Sequence, residues 1–184
     1  MVKTIRQRKP NRLKNFDYSS SGWYFVTICT KNKQEYFGKI VNNKMVLNEY
    51  GRIVEKCYLD LINHYSNCLL DVYQIMPNHI HGIIIIKNKK QIINVGTIHE
   101  LSLQKEFISD WKQRRHMLLP IIIGFFKMNS SKSIHNLGLN SFQWQRSFYD
   151  HIIRNEKSLQ KIRQYIQDNP KNWQTDRNNL SFKP

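Results

Sequence analysis

Apolar residues fall in short blocks separated by Asn, Pro and Gly, and the spacing inside each block predicts an element. Trp23–Thr30 (WYFVTICT) is β-branched and aromatic and predicts a strand. Phe37–Ile40 and Lys44–Leu47 flank Asn42-Asn43, a turn-forming pair, and predict a hairpin. From Asn48 to about Tyr65, Val54, Tyr58, Leu61 and Ile62 recur at helical spacing. Leu69–Met76 predicts a second strand, Pro77-Asn78 a turn, and His79–Ile86 a third strand. Leu118 to about Ile134 predicts a helix with Pro120 in its first turn. Gln143–Asp150 is a short aromatic segment. Asn155 is suited to cap a last helix that runs to Asn169 and stops at Pro170. Residues 87–117 are polar and charged and read as a loop or partly helical insertion. The order strand, hairpin, helix, strand, strand, helix, helix predicts an α+β fold, with helices packed on a mainly antiparallel sheet.

Charge adds a partner class. The 184 residues, enough for one compact domain, carry a net charge of +16. That excess fits nucleic acid or an anionic membrane surface. Hydrophobic residues at 40% exclude a disordered basic tail. Apolar runs such as Ile83–Ile86 fall far short of the roughly 18 residues of a spanning helix. The basic first residues lack the apolar stretch of a signal peptide, and they predict a mobile arm over about 1–15. Cys29, Cys57 and Cys68 have no CxxC spacing and predict reduced thiols, hence a cytoplasmic protein.

The candidate chemistry begins at Met-Pro-Asn-His79-Ile80-His81. On a strand, His79 and His81 share one face and Ile80 points into the other layer. Two imidazoles side by side can chelate one divalent metal. Ile83 occupies the position where an Asp or a third His would extend the pair, so a third ligand must come from elsewhere.

The last predicted helix offers one. Leu159, Ile162 and Ile166 form its apolar stripe, and Tyr165 and Asn169, four apart, share one edge of that stripe. A phenol and an amide are then presented together, although Pro170 disfavours strict helical geometry at Asn169. Lys157 and Lys161 precede Tyr165 on its solvent side, where they can hold a phosphodiester. A metal pair, an amide oxygen and a candidate nucleophile suit attack on phosphorus, with a covalent phosphotyrosine as product.

With these residues the chain resembles the IS200-like, single-tyrosine HUH transposases, and within them the REP-associated tyrosine transposases. Four blocks carry the resemblance: RKPNRLKNFDYSSSGWYFVTICT, MPNHIHGIIII, GFFKMNSSKSI and WQRSFYDHIIRNEKSLQKIRQYIQDNP. It implies a ferredoxin-like α+β core, and Mg²⁺- or Mn²⁺-dependent cleavage and rejoining of single-stranded DNA near a hairpin through a 5′-phosphotyrosine. His79 and His81 match the family's metal histidines, Tyr165 its nucleophile, and Asn169 the polar side chain that completes the metal site. His151, in the DHIIRNE block, reads as a support to the metal site, a DNA contact or a packing residue, with packing favoured. A monomer with its tyrosine in cis is favoured, and a homodimer is the alternative.

Basic and aromatic residues interleave at Arg6–Tyr18 and Trp144–Tyr149, as in binders of single strands. Arg8, Lys9, Arg12 and Lys14 are candidates to follow the phosphates of a hairpin, with Arg114, Arg115, Lys127 and Lys132 as further DNA contacts. Binding through such contacts falls with salt, with a log–log slope of about −0.7 per phosphate for single strands. Two rivals stay open: a non-catalytic hairpin or single-stranded DNA-binding protein, and a metal-free ribonuclease using His79 and His81 as acid and base.

Overall fold

A computed structural model describes residue 13, residues 16–87 and residues 116–182. The fold is α+β. Four strands form one antiparallel sheet: β1 (Gly22–Cys29), β4 (Cys68–Met76), β5 (His79–Ile86) and β6 (Tyr149–Ile153), in the order β4-β5-β1-β6. Strands β2 (Gly38–Val41) and β3 (Lys44–Leu47) make the expected hairpin. Its turn residues Asn42 and Asn43 have φ of 49° and 60°, a left-handed pair that asparagine tolerates. The helices are α1 (Glu49–Leu59), α2 (Leu61–His64), α3 (Leu118–Asn136) and α4 (Glu156–Asp168).

Strand alternation sorts the apolar residues into two cores. Tyr24, Val26, Ile28, Ile80, Ile84 and Ile86 pack with Val54, Tyr58, Ile122 and Phe126 from α1 and α3. Phe25, Ile83 and Ile153 pack on the opposite face with Leu159 and Ile166 of α4. Strand β5 lies between β4 and β1 and is buried along nearly its whole length, as its unbroken isoleucine run requires.

Two elements and one residue differ from expectation. The helix expected from Asn48 to Tyr65 is interrupted at Asp60. There the Asp60 carboxylate accepts from Asn63 Nδ2 and meets His64 Nε2, local bonds that compete with a continuous helix. The aromatic segment at Gln143–Asp150 gives way to a strand that begins only at Tyr149 and continues to Ile153. His151, expected to pack, is exposed on that strand.

Gly82 sits where the sheet meets α1. A methyl group added there would overlap the Tyr58 hydroxyl and press on Tyr58 Cζ at 2.8 Å. Tyr58 is fully buried and its hydroxyl has no hydrogen-bond partner among the described residues. Gly82→Ala should therefore cost about 1–3 kcal/mol in a urea unfolding experiment. Adding Tyr58→Phe should recover part of that loss, because it removes the overlapping oxygen. A single substitution as stable as the parent would contradict this packing.

Candidate metal and tyrosine site

The β5 register builds the site. Gln74, His81, Thr27 and Tyr149 lie side by side across β4, β5, β1 and β6, and the next row holds Met76, His79 and Cys29. Both histidines are fully buried on the face that carries α4. Asn78 Nδ2 donates to the carbonyls of Lys33 and Asn178, which orients its amide with the oxygen toward His79. His79 Nδ1–H donates to that oxygen at 2.8 Å, so His79 Nε2 carries a bare lone pair. His81 Nδ1 lies 2.8 Å from Thr27 Oγ1, and the two Nε2 atoms face each other at 3.0 Å. That approach requires an electropositive atom between them, either a proton on His81 or a metal ion.

A third ligand comes from Asp176. Its carboxylate and the two imidazoles offer atoms that all lie within 4.8 Å of one another, and all three residues are buried. Asp176 Oδ1 accepts from the Asn178 N–H at 2.6 Å, and Oδ2 accepts from Asn169 Nδ2 at 3.1 Å. Asn169 keeps the α conformation (φ −56°, ψ −42°) although Pro170 follows it, so it stays one turn beyond Tyr165. Its Oδ1 is buried without a hydrogen-bond partner among the described residues. Two neutral imidazoles, a carboxylate and an orphaned amide oxygen form a set of nitrogen and oxygen donors that fits a divalent cation.

Burial holds both imidazoles neutral, the form that binds metal. Desolvation, helped by the Lys33 and Arg177 charges, pushes His79 down to about 3. Desolvation and His79 hold His81 well below its ordinary value, against the opposing Asp176 charge. The unfolded chain therefore binds more protons than the metal-free fold below pH about 6.5, and stability falls as pH drops. In chelator the loss should begin just under pH about 6.5 and continue toward the depressed values, by up to about 1.4 kcal/mol per pH unit for each imidazole. Urea midpoints from pH 7.5 to 5 measure it, and a flat profile would contradict neutral burial.

Tyr165 projects from α4, 44% exposed, with its hydroxyl 3.3 Å from His81 Nε2. Its ring meets Phe25 edge-on at 6.0 Å. Burial, then the Asp176 charge, raise the phenol above its usual range, while Arg177 and the Asn169 amide lower it. Three features fix the helix. Asn155 Oδ1 caps it by accepting from Ser158 N at 2.8 Å. Leu159 and Ile166 anchor it to the sheet, and Arg163 Nε and Nη2 both donate to Asp71 Oδ2 on β4, at 2.9 and 2.6 Å.

The structure thus brings together Tyr165, His79, His81 and Asn169. Lys157 and Lys161 are exposed on α4 and Lys132 on α3. Lys127 Nζ donates to the carbonyls of Gln145 and Ser147 at 2.7 and 2.8 Å, tying α3 to the segment before β6. Arg8, Lys9, Arg12, Lys14, Arg114 and Arg115 lie outside the described residues, as do most of the basic arm and the insertion. The sequence reading missed Asp176. The available signal was its place as the last acidic residue in a chain whose histidine pair needs a further ligand.

No family model matches the chain. An uncharacterized protein of Haemophilus influenzae is 38% identical over 173 residues, which cover 94% of this chain and 93% of that protein. The structure of a REP-associated tyrosine transposase bound to a REP hairpin is similar with a TM-score of 0.52 at 16% identity, over 92% of this chain and 74% of that one. At that identity the likeness is one of fold.

Proposed function

The chain belongs to one family with the Haemophilus influenzae protein, and from the site it carries we propose that it cuts and rejoins single-stranded DNA through Tyr165. One observation carries this reading: a phenol hydroxyl stands 3.3 Å from a buried imidazole that shares a ligand cluster with a second imidazole and a carboxylate. The similarity of fold to a hairpin-bound tyrosine transposase points the same way. The strand order β4-β5-β1-β6, with helices on the connections, supports a ferredoxin-like core and a single HUH transposase domain.

His79, His81 and Asp176, with Asn169 as a further oxygen donor, would hold Mg²⁺ or Mn²⁺. When bound, the cation supplies charge to polarise the scissile phosphate and stabilise the leaving oxygen. Tyr165 attacks phosphorus: the phenol gives up its proton as the phenolic O–P bond forms, the P–O3′ bond breaks, and the departing oxygen takes up a proton as a free 3′-hydroxyl, with no net change in protons. Attack of a 3′-hydroxyl on the phosphotyrosine reverses the step, so rejoining needs no ATP. Leu159, Ile166 and the Arg163–Asp71 pair hold the tyrosine helix on its own chain's sheet, which favours a cis site in a monomer. The basic residues named from the sequence other than Lys127, with Lys132, Lys157 and Lys161 among them, would follow the DNA backbone, and the free cysteines suit a cytoplasmic protein.

Acid–base ribonuclease chemistry fits poorly, because His79 and His81 are fully buried and held neutral and so lack an exposed protonated acid. The remaining rival is a DNA binder without chemistry. Covalent trapping separates the two. The protein is mixed with labelled single-stranded DNA from the flanks of its own gene and resolved on a denaturing gel. The expected result is an adduct in Mn²⁺ that disappears in EDTA and returns when metal is restored. Salt-sensitive binding of the same DNA with no adduct would establish the rival instead.

A further inference from the structure

The residue after Asp176 is an exposed arginine on a backbone fixed at both sides. Asn178 N–H donates to the Asp176 carboxylate, and the Asn178 carbonyl accepts from Asn78 Nδ2 at 2.8 Å. The Arg177 carbonyl itself accepts from Lys33 Nζ at 2.5 Å. The side chain is therefore presented from a firm base.

Its guanidinium carbon lies 5.6 Å from the centre of the Tyr149 ring. Tyr149 is the β6 member of the row that contains Thr27 and His81, and it faces the same side of the sheet. The rings of Tyr149 and Tyr165 both meet Phe25 edge-on, at 6.3 and 6.0 Å. The guanidinium thus stands on the rim where the nucleophile opens to solvent. Its charge is felt by Tyr165, His79 and His81 alike. Among the described residues, the guanidinium lies over the Tyr149 ring and has no carboxylate within ion-pair distance. A guanidinium seated on an aromatic face keeps its N–H edges free to fork onto two phosphate oxygens.

We propose that Arg177 is a further catalytic residue, whose guanidinium donates to a non-bridging oxygen of the scissile phosphodiester and holds the phosphorus against Tyr165 Oη. The proposal rests on the phosphotyrosine reading. Negative charge on those oxygens redistributes as the Tyr–O–P bond forms and the P–O3′ bond breaks. A fixed cation at the rim is already oriented for that change.

The test combines a protein change with a substrate change. Wild-type protein first locates the scissile linkage. Single-stranded DNA is then made with either the natural phosphodiester or an uncharged methylphosphonate at that linkage. On the phosphodiester, Arg177→Ala should slow adduct formation about 100-fold, and Arg177→Lys, which keeps the charge but loses the fork, about tenfold. On the methylphosphonate, Arg177→Ala and wild type should differ by less than about threefold. In a Tyr165→Phe background, which cannot cleave, Arg177→Ala should weaken binding of the phosphodiester DNA about tenfold and leave the methylphosphonate DNA unaffected. Thermal unfolding of each variant reports on the fold, and Arg177→Lys keeps the test decisive should the alanine variant unfold.

Equal rates for wild type and the two variants on the phosphodiester would overturn the proposal, as would an equal loss on both DNAs, which marks a structural role. No adduct from the wild-type protein would remove the phosphotyrosine reading itself, a result distinct from either.

Discussion

Tyr165→Phe is expected to yield no covalent DNA adduct while leaving the fold and DNA affinity nearly unchanged. The substitution removes one oxygen, which lies 3.3 Å from His81 Nε2 and beside the Asn169 amide. The side chain is 44% exposed, and the ring keeps its edge contact with Phe25. The stability change should therefore stay within about 1 kcal/mol. The chemical loss is of another order, because no phenol oxygen is left to bond phosphorus, and losing a nucleophile costs on the order of 10⁴-fold or more. A denaturing gel with labelled DNA reads the adduct, and a fluorescence titration of the same DNA reads binding. An adduct persisting at wild-type level would move the nucleophile elsewhere, with Tyr149 the first residue to examine.

The second large effect concerns Asp176. Asp176→Asn keeps the shape and one acceptor oxygen for the donors at Asn169 and Asn178, but removes the negative charge from the ligand cluster. Residues that only orient ligands typically cost about 10–100-fold in metal affinity. Loss of the ligand charge itself should exceed that, about 100-fold or more in a Mn²⁺ titration followed by electron paramagnetic resonance. Asn169→Ala is the informative companion. Its amide oxygen is orphaned and faces the same choice of role. If Asp176→Asn binds Mn²⁺ like wild type and Asn169→Ala does not, the oxygen ligand is the amide and the carboxylate serves to hold it.

The legible parts of this molecule are those governed by short periods. Alternation on His79–Ile86 separates the histidines from Ile80, and the structure puts Ile80 in the opposite core. The helical stripe of Leu159 and Ile166, with Asn155 ahead of it, locates the tyrosine helix to within a residue. The interruption at Asp60 was hidden because it depends on side-chain bonds rather than on apolar spacing. Asp176 was hidden for a different reason. It reaches the histidines through a turn at Trp173–Thr175, where no apolar period marks which residue points inward. The proposed DNA surface is least legible, since a lysine's charge does not reveal its use. Lys127 shows this, its ammonium bound to two main-chain carbonyls.

The strap that carries Asp176 across the ends of β1 and β5 also links two equilibria. Asn78, on the β4–β5 turn, bonds both the strap and the first imidazole. Whatever fraction of molecules has the strap detached has lost a ligand, so intrinsic metal affinity is diluted by that fraction. Reciprocity then requires metal to pull the detached population back into place by the same factor. Metal bound at this cluster would thereby act as a thermostat for order at this end of the sheet. Hydrogen exchange at Asn178 and Asn179 should slow as the ion is titrated in, even with no DNA present.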